Sequence, residues 1–107
     1  MKQNNNMKLL LIIITAGHVD EVMEIARSAG AKGATIINAR GEGAQHKTVM
    51  GITLDSEKEI ILCIIDDATS ENVMSAIKEH AGVKTPANSI CLSLPVDNMV
   101  GIDMSIA

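Results

Sequence analysis

The sequence contains no phenylalanine, tyrosine or tryptophan. A chain without aromatic side chains has no platform on which bases or sugar rings could stack, which removes one of the two usual ingredients of single-strand recognition. The other ingredient, an excess of positive charge, is missing as well. Nine Lys and Arg stand against thirteen Asp and Glu, for a net charge of −4 and a pI near 5.2. Nucleic acid is therefore not an expected partner. Cysteine is scarce too. Cys63 and Cys91 each sit inside an apolar run, with no His or second Cys two to four residues away, so neither fits a zinc-ligand spacing and both read as buried structural thiols. Long apolar runs are also absent. Lys2 and Lys8 precede Leu9–Ile14 and small residues follow it, but six apolar residues are too few for a secretory core or a bilayer span. The expectation is a cytoplasmic protein with a disordered polar head over residues 1–7 and one domain over 8–107.

What is present is aliphatic. Hydrophobic residues make up 47% of the 107, so the core must be built from Ile, Val, Leu, Ala and seven Met. A single domain of this size buries roughly 65% of the surface that its unfolded chain exposes, enough for a core without disulfides or metal.

Lys8–Thr15 is a β-branched and leucine run of strand length. Val19, Val22, Met23, Ala26 and Ala29 then follow helical spacing, with Asp20 and Glu21 suited to the positive helix start and Gly30 to its stop. A second strand is centred on Thr35-Ile36-Ile37 within 33–40. After the segment 41–56 the pattern repeats: a strand over Glu59–Ile65, a turn at Asp66-Asp67-Ala68, and a helix capped by Thr69 or Ser70. That helix turns Val73, Ala76, Ile77 and His80 or Ala81 inward and stops at Gly82. A strand over Ser89–Leu94 comes next, and a marginal last one over Val100–Met104.

The halves echo each other. Asp20-Glu21-Val22-Met23 lines up with Glu71-Asn72-Val73-Met74, and Ala29-Gly30-Ala31-Lys32 with Ala81-Gly82-Val83-Lys84. Two βαβ units joined through neighbouring strands give an α+β, ferredoxin-like βαββαβ sandwich, with two helices on one face of a four-stranded antiparallel sheet. Leu9–Ile14 and Ile60–Ile65 are apolar at every position. Both sheet faces therefore need cover, the helices shield one, and self-association is the simplest cover for the other.

Gly41–Ser56 matches neither helix nor strand periodicity, and a loop this long in a small domain is more often functional than not. Val49, Met50, Ile52 and Leu54 allow two readings: an exposed apolar tip that docks on a partner, or a hairpin packed on its own oligomer. Gly41 and Gly43 could admit a ligand close to the backbone, although a turn needing positive φ is the plainer role. His18, His46 and His80 are too dispersed for a metal motif, with His46 the one favoured as a ligand. No Ser/His/Asp or Cys/His arrangement marks a nucleophilic enzyme.

From Lys8 to Met104 the chain resembles the PII signalling proteins and their PII-like relatives. The resemblance rests on Asp20-Glu21-Val22, on Ala29-Gly30-Ala31-Lys32-Gly33-Ala34-Thr35, on Gly41-Glu42-Gly43 and on Leu94-Pro95-Val96. It implies a non-enzymatic homotrimeric regulator that senses a small-molecule effector between subunits and controls a membrane transporter or a regulated enzyme through loop 44–56. By the same resemblance Gly33, Thr35, Gly41, Gly43 and Gln45 line the effector cleft, with Lys84 and Asn88 added from the second half. His46, Lys47, Val49, Met50 and Ile52 would meet the partner. The usual nucleotide-binding residues are not all matched: Ala44, Gly101 and Asp103 stand where the family places arginines, and Thr85-Pro86-Ala87-Asn88-Ser89 where it places a Gly-rich segment ending in Lys. A nucleotide remains a candidate cofactor, but a polyphosphate would find few cations. An alternative with the same fold is a CutA-like metal-binding trimer.

Overall fold

The computed structural model describes residues 6–41, 47–49, 52–54 and 56–101, with the backbone alone between 47 and 56. In chain order the elements are β1 (Met7–Thr15), α1 (Val19–Ser28), β2 (Thr35–Gly41), β3 (Lys47–Val49), β4 (Ile52–Leu54), β5 (Ser56–Asp66), α2 (Asp67–Ala81) and β6 (Ile90–Pro95). Strands β2, β5, β1 and β6 form one antiparallel sheet in that order, and β3 pairs with β4 in a separate two-stranded sheet. This is the expected ferredoxin-like arrangement. Strand β1 begins one residue early, taking in Met7, which is buried although it was placed in the disordered head.

The alternation of β1 sets the layers. Leu10, Ile12 and Ile14 are fully buried, as are Ile61, Cys63 and Ile65 on β5, and they meet Val22, Met23 and Ala26 of α1 and Val73, Ile77 and Ala81 of α2. Side chains alternate across a strand, so the intervening residues face the other way. There Ile37, Ile60, Ile13 and Ile90 pair in register from edge to edge, Leu62, Leu11 and Leu92 form a second row, and Ile64, Leu9 and Leu94 a third. Neither helix covers these rows. Ile37, Ile90, Leu92 and Leu94 are 45%, 57%, 47% and 44% exposed. In the single chain one apolar face of the sheet is therefore uncovered, as the unbroken apolar runs imply.

The helix ends show how local chemistry fixes the frame. Ala31 N–H donates to the Ala26 carbonyl and Gly30 N–H to that of Arg27, both at 3.0 Å, with Gly30 at φ +117. This is the paired closure of a Schellman motif, and glycine supplies its left-handed residue. Helix α2 starts earlier than the sequence suggested. Its cap is Asp66, whose side chain accepts from Thr69 N–H at 3.3 Å, so Thr69 and Ser70 lie inside the first turn. Either Asp, Ser or Thr satisfies the capping preference, and the first available carboxylate took the role. At the other end Ala81 is buried and His80 is exposed, which decides the inward residue. The marginal last strand does not begin at Val100: Val100 and Gly101 are not in a strand, and residues 102–104 lie outside the described residues.

Candidate functional site

The residues expected to meet an effector fall into two groups, because β2 and β6 are opposite edges of the sheet. Gly33 and Thr35 are exposed before and at the start of β2, with Thr35 opposite Leu62. Gly41 ends that strand opposite Ser56, and its missing Cβ leaves room for Lys58, whose Cε and Cγ would lie 3.1 and 3.2 Å from one. Lys84 and Asn88 belong instead to the connection 82–89 that leads into β6. Three strand spacings separate the edges, about 14 Å. Within one chain the described members of these groups do not form a single pocket.

Gly41 and the connection do stand at the same end of the sheet, while Thr35, opposite Leu62 and so level with Leu11, lies at mid-sheet. Thr15, the last residue of β1, is opposite Lys58, which is opposite Ala39. The N–H of the same Thr15 donates to the Ala87 carbonyl at 2.9 Å, which docks the connection against that row. The connection is internally tied. Thr85 N–H and Oγ1 both donate to the Gly82 carbonyl, at 3.0 and 2.8 Å, Asn88 N–H donates to the Thr85 carbonyl at 3.1 Å, and Ser89 N–H to that of Ala81 at 2.9 Å. Asn88 sits at φ 47, a left-handed conformation that Asn tolerates better than most residues.

Beside the end of β2 lies a cavity of about 630 Å³ walled by Asn38, Arg40, Glu57, Lys58 and Glu59. The Glu59 carboxylate accepts from Gly17 N–H at 2.9 Å, tying the turn after β1 to the base of the loop. Sequence reasoning missed these charged residues because they lie at the polar end of β2 and the polar start of β5, outside the apolar runs by which those strands were recognised. A second cavity, about 680 Å³, opens between the last turns of α2, the connection 82–89 and β6, and Lys84 lines it. A third, about 490 Å³, runs between α1 and α2 and touches none of the expected residues.

Within the loop, Val49 is opposite Ile52, Thr48 opposite Thr53 and Lys47 opposite Leu54. The backbone thus pairs as a hairpin here. Gly43, Gln45, His46 and Met50 lie outside the described residues. Among the described residues no three His, Cys, Asp or Glu side chains are grouped to hold a metal ion.

Comparison with known proteins adds the family. A model described as nitrogen regulatory protein P-II matches residues 7–101. The fold is similar to that of B. subtilis GlnK, at 15% identity over 89% of each chain and a TM-score of 0.69. It is also similar to CPII, a nitrogen regulatory PII-like protein from Thiomonas intermedia solved with ADP, AMP and bicarbonate, at 16% identity over 94% of this chain and all of that one, with a TM-score of 0.70. At such identities the likeness is one of fold. A segment of elongation factor 4 from Mycoplasma genitalium is 34% identical over 110 residues, taking in 96% of this chain but only 18% of that protein. With the P-II model matched from β1 to the last described residue and the same architecture in both solved structures, the chain belongs to the nitrogen regulatory protein P-II family.

Proposed function

We propose that the chain is a non-enzymatic PII-like regulator that works as a homotrimer in the cytoplasm. It takes a small effector in clefts between subunits and controls a partner, a membrane transporter or a regulated enzyme, through loop 44–56. The observation that carries this reading is the split of the candidate site across opposite edges of the sheet, with Gly41 and the 82–89 connection at the same end. A cleft that uses both groups has to join β2 of one copy to the 82–89 connection of the next. The uncovered rows of Ile and Leu supply a reason for copies to associate, since apolar surface of this kind is seldom left in water. No helix among the described residues is long and apolar enough to cross a membrane.

In this reading Gly33, Thr35, Gly41, Gly43 and Gln45 form one wall of the cleft, and Lys84 and Asn88 the other. With Ala44, Gly101 and Asp103 in place of arginines, effectors carrying little negative charge are favoured over a triphosphate. Switching requires the effector to bind one arrangement of the loop better than another. The ligands of the Thiomonas relative, ADP, AMP and bicarbonate, are the first probes, with ATP for contrast. A ligand at a hundred times its dissociation constant stabilises by about 2.7 kcal/mol, readily seen as a thermal shift. Stabilisation by one of the probes, reduced by Lys84→Ala, is expected; a trimer that none of them stabilises contradicts the effector part.

A further inference from the structure

The cavity between α2 and β6 has a chemistry of its own. We propose that it is a second ligand site, built within a single chain, that takes a small aliphatic carboxylate. Its apolar wall is made by Met74, Ile77 and Cys91. Burial pushes the Cys91 thiol up to about 11, with the nearby Cys63 adding to the effect, so this wall stays uncharged at neutral pH. Lys78 and Lys84 bring two ammonium groups to the rim against the single carboxylate of Glu79. The cavity is therefore locally cationic in a chain of net charge −4, which selects an anion.

An independent observation points the same way. Ser89 lines this cavity, and its Oγ is buried without a hydrogen-bond partner. An unpaired buried hydroxyl is costly, and nearly all such groups in folded proteins are satisfied. A hydroxyl is free to rotate its donor, and an anion held in the cavity that Ser89 lines would give it the acceptor it lacks. The choice of carboxylate over phosphate follows from the donors on hand. The backbone N–H groups of Thr85, Asn88 and Ser89 already donate to the carbonyls of Gly82, Thr85 and Ala81, so these do not form the multi-donor nest that phosphate sites use. One hydroxyl and two ammonium groups beside an apolar wall suit a carboxylate head with an alkyl tail. A cavity of about 680 Å³ lies within the usual range for small-molecule sites.

The inference does not depend on the cleft between subunits and concerns a different class of ligand. Lys84, common to both, is left unaltered in the test. Butyrate, hexanoate and octanoate are titrated into the full chain by calorimetry, with hexylamine as the cationic control. One site per chain is expected, with affinity rising about fourfold per methylene, the equivalent of burying each in an apolar pocket. Ser89→Ala removes an unpaired hydroxyl and so should fold normally, yet should weaken hexanoate at least tenfold, the loss of a hydrogen bond to a charged acceptor. Lys78→Gln should weaken it as well, and hexylamine should not bind. Binding of several molecules per chain, binding unchanged by Ser89→Ala, or equal binding of hexylamine would overturn the proposal, because each marks adsorption to apolar surface outside the cavity. No binding of any of the three acids would overturn it equally.

Discussion

The carboxylate of Asp66 accepts a hydrogen bond from Thr69 N–H at 3.3 Å and so closes the start of α2. Hydrogen bonds from Thr69, its side chain first and its backbone N–H second, hold the Asp66 carboxyl below its ordinary value. A group whose pKa is lower in the folded state stabilises at pH values above its unfolded pKa, near 3.9, and loses that contribution as pH falls through the folded one. Asp66→Ala should lower the melting temperature at pH 7, and the difference from the parent should shrink in acid. Asp66→Asn keeps a capping oxygen without the titration, so its melting temperature should fall less steeply below pH 4. Parallel pH profiles for Asp66→Asn and the parent would remove Asp66 from the acid response.

Gly30 and Thr69 form a second joint, between α1 and α2. A Cβ on Gly30 would lie 3.0 Å from Thr69 Cγ2, and the backbone there is at φ +117. Gly30→Ala should therefore destabilise by about 1–3 kcal/mol, chiefly through the backbone. Adding Thr69→Ser removes the methyl and should restore only the steric share. Denaturant unfolding of the two single variants and the double variant separates these parts; full restoration in the double variant would show that the backbone conformation carries no cost.

Cys63 and Cys91 face the helix side from β5 and β6, with β1 between them. Two strand spacings put their Cα atoms at least about 9.5 Å apart, beyond the reach of a disulfide. Both thiols are raised by burial, Cys91 to about 11. Only about one Cys91 in a thousand is then thiolate at pH 8, so alkylation of the native chain should be slow there and should rise about tenfold per pH unit up to about pH 11. Mass spectrometry of alkylated protein checks this, and a native disulfide under mild oxidation would contradict the strand order itself.

Much of this was legible in the sequence because one physical demand dominated each stretch. The runs around Leu9–Ile14 and Ile60–Ile65 could only be strands with two apolar faces, and Gly30 and Gly82 could only be helix ends. The start of α2 was less legible, since Asp66, Thr69 and Ser70 are all good caps and only the backbone path selects one. The candidate site was legible as residue types but not as geometry. Strand order, which places Thr35 and Lys84 on opposite edges, depends on pairing between distant segments. Ser89 carried no signal at all, because an unpaired hydroxyl is a property of surroundings rather than of a serine.

The uncovered rows of Ile and Leu should decide assembly. Leu11, central in the second row, sits between Leu62 and Leu92 with its side chain away from the helices. Leu11→Asp should leave the fold intact by circular dichroism, since the helix-side core is unchanged, and should dissociate the assembly, because an unpaired charge would otherwise be buried in it.

The most direct measurement is the mass of the unaltered chain in solution by size-exclusion chromatography with light scattering. Three times the chain mass of 11.3 kDa is expected, persisting on dilution to micromolar concentration. A well-folded monomer at that concentration would contradict both the cover of the sheet face and the cleft that the effector is proposed to occupy.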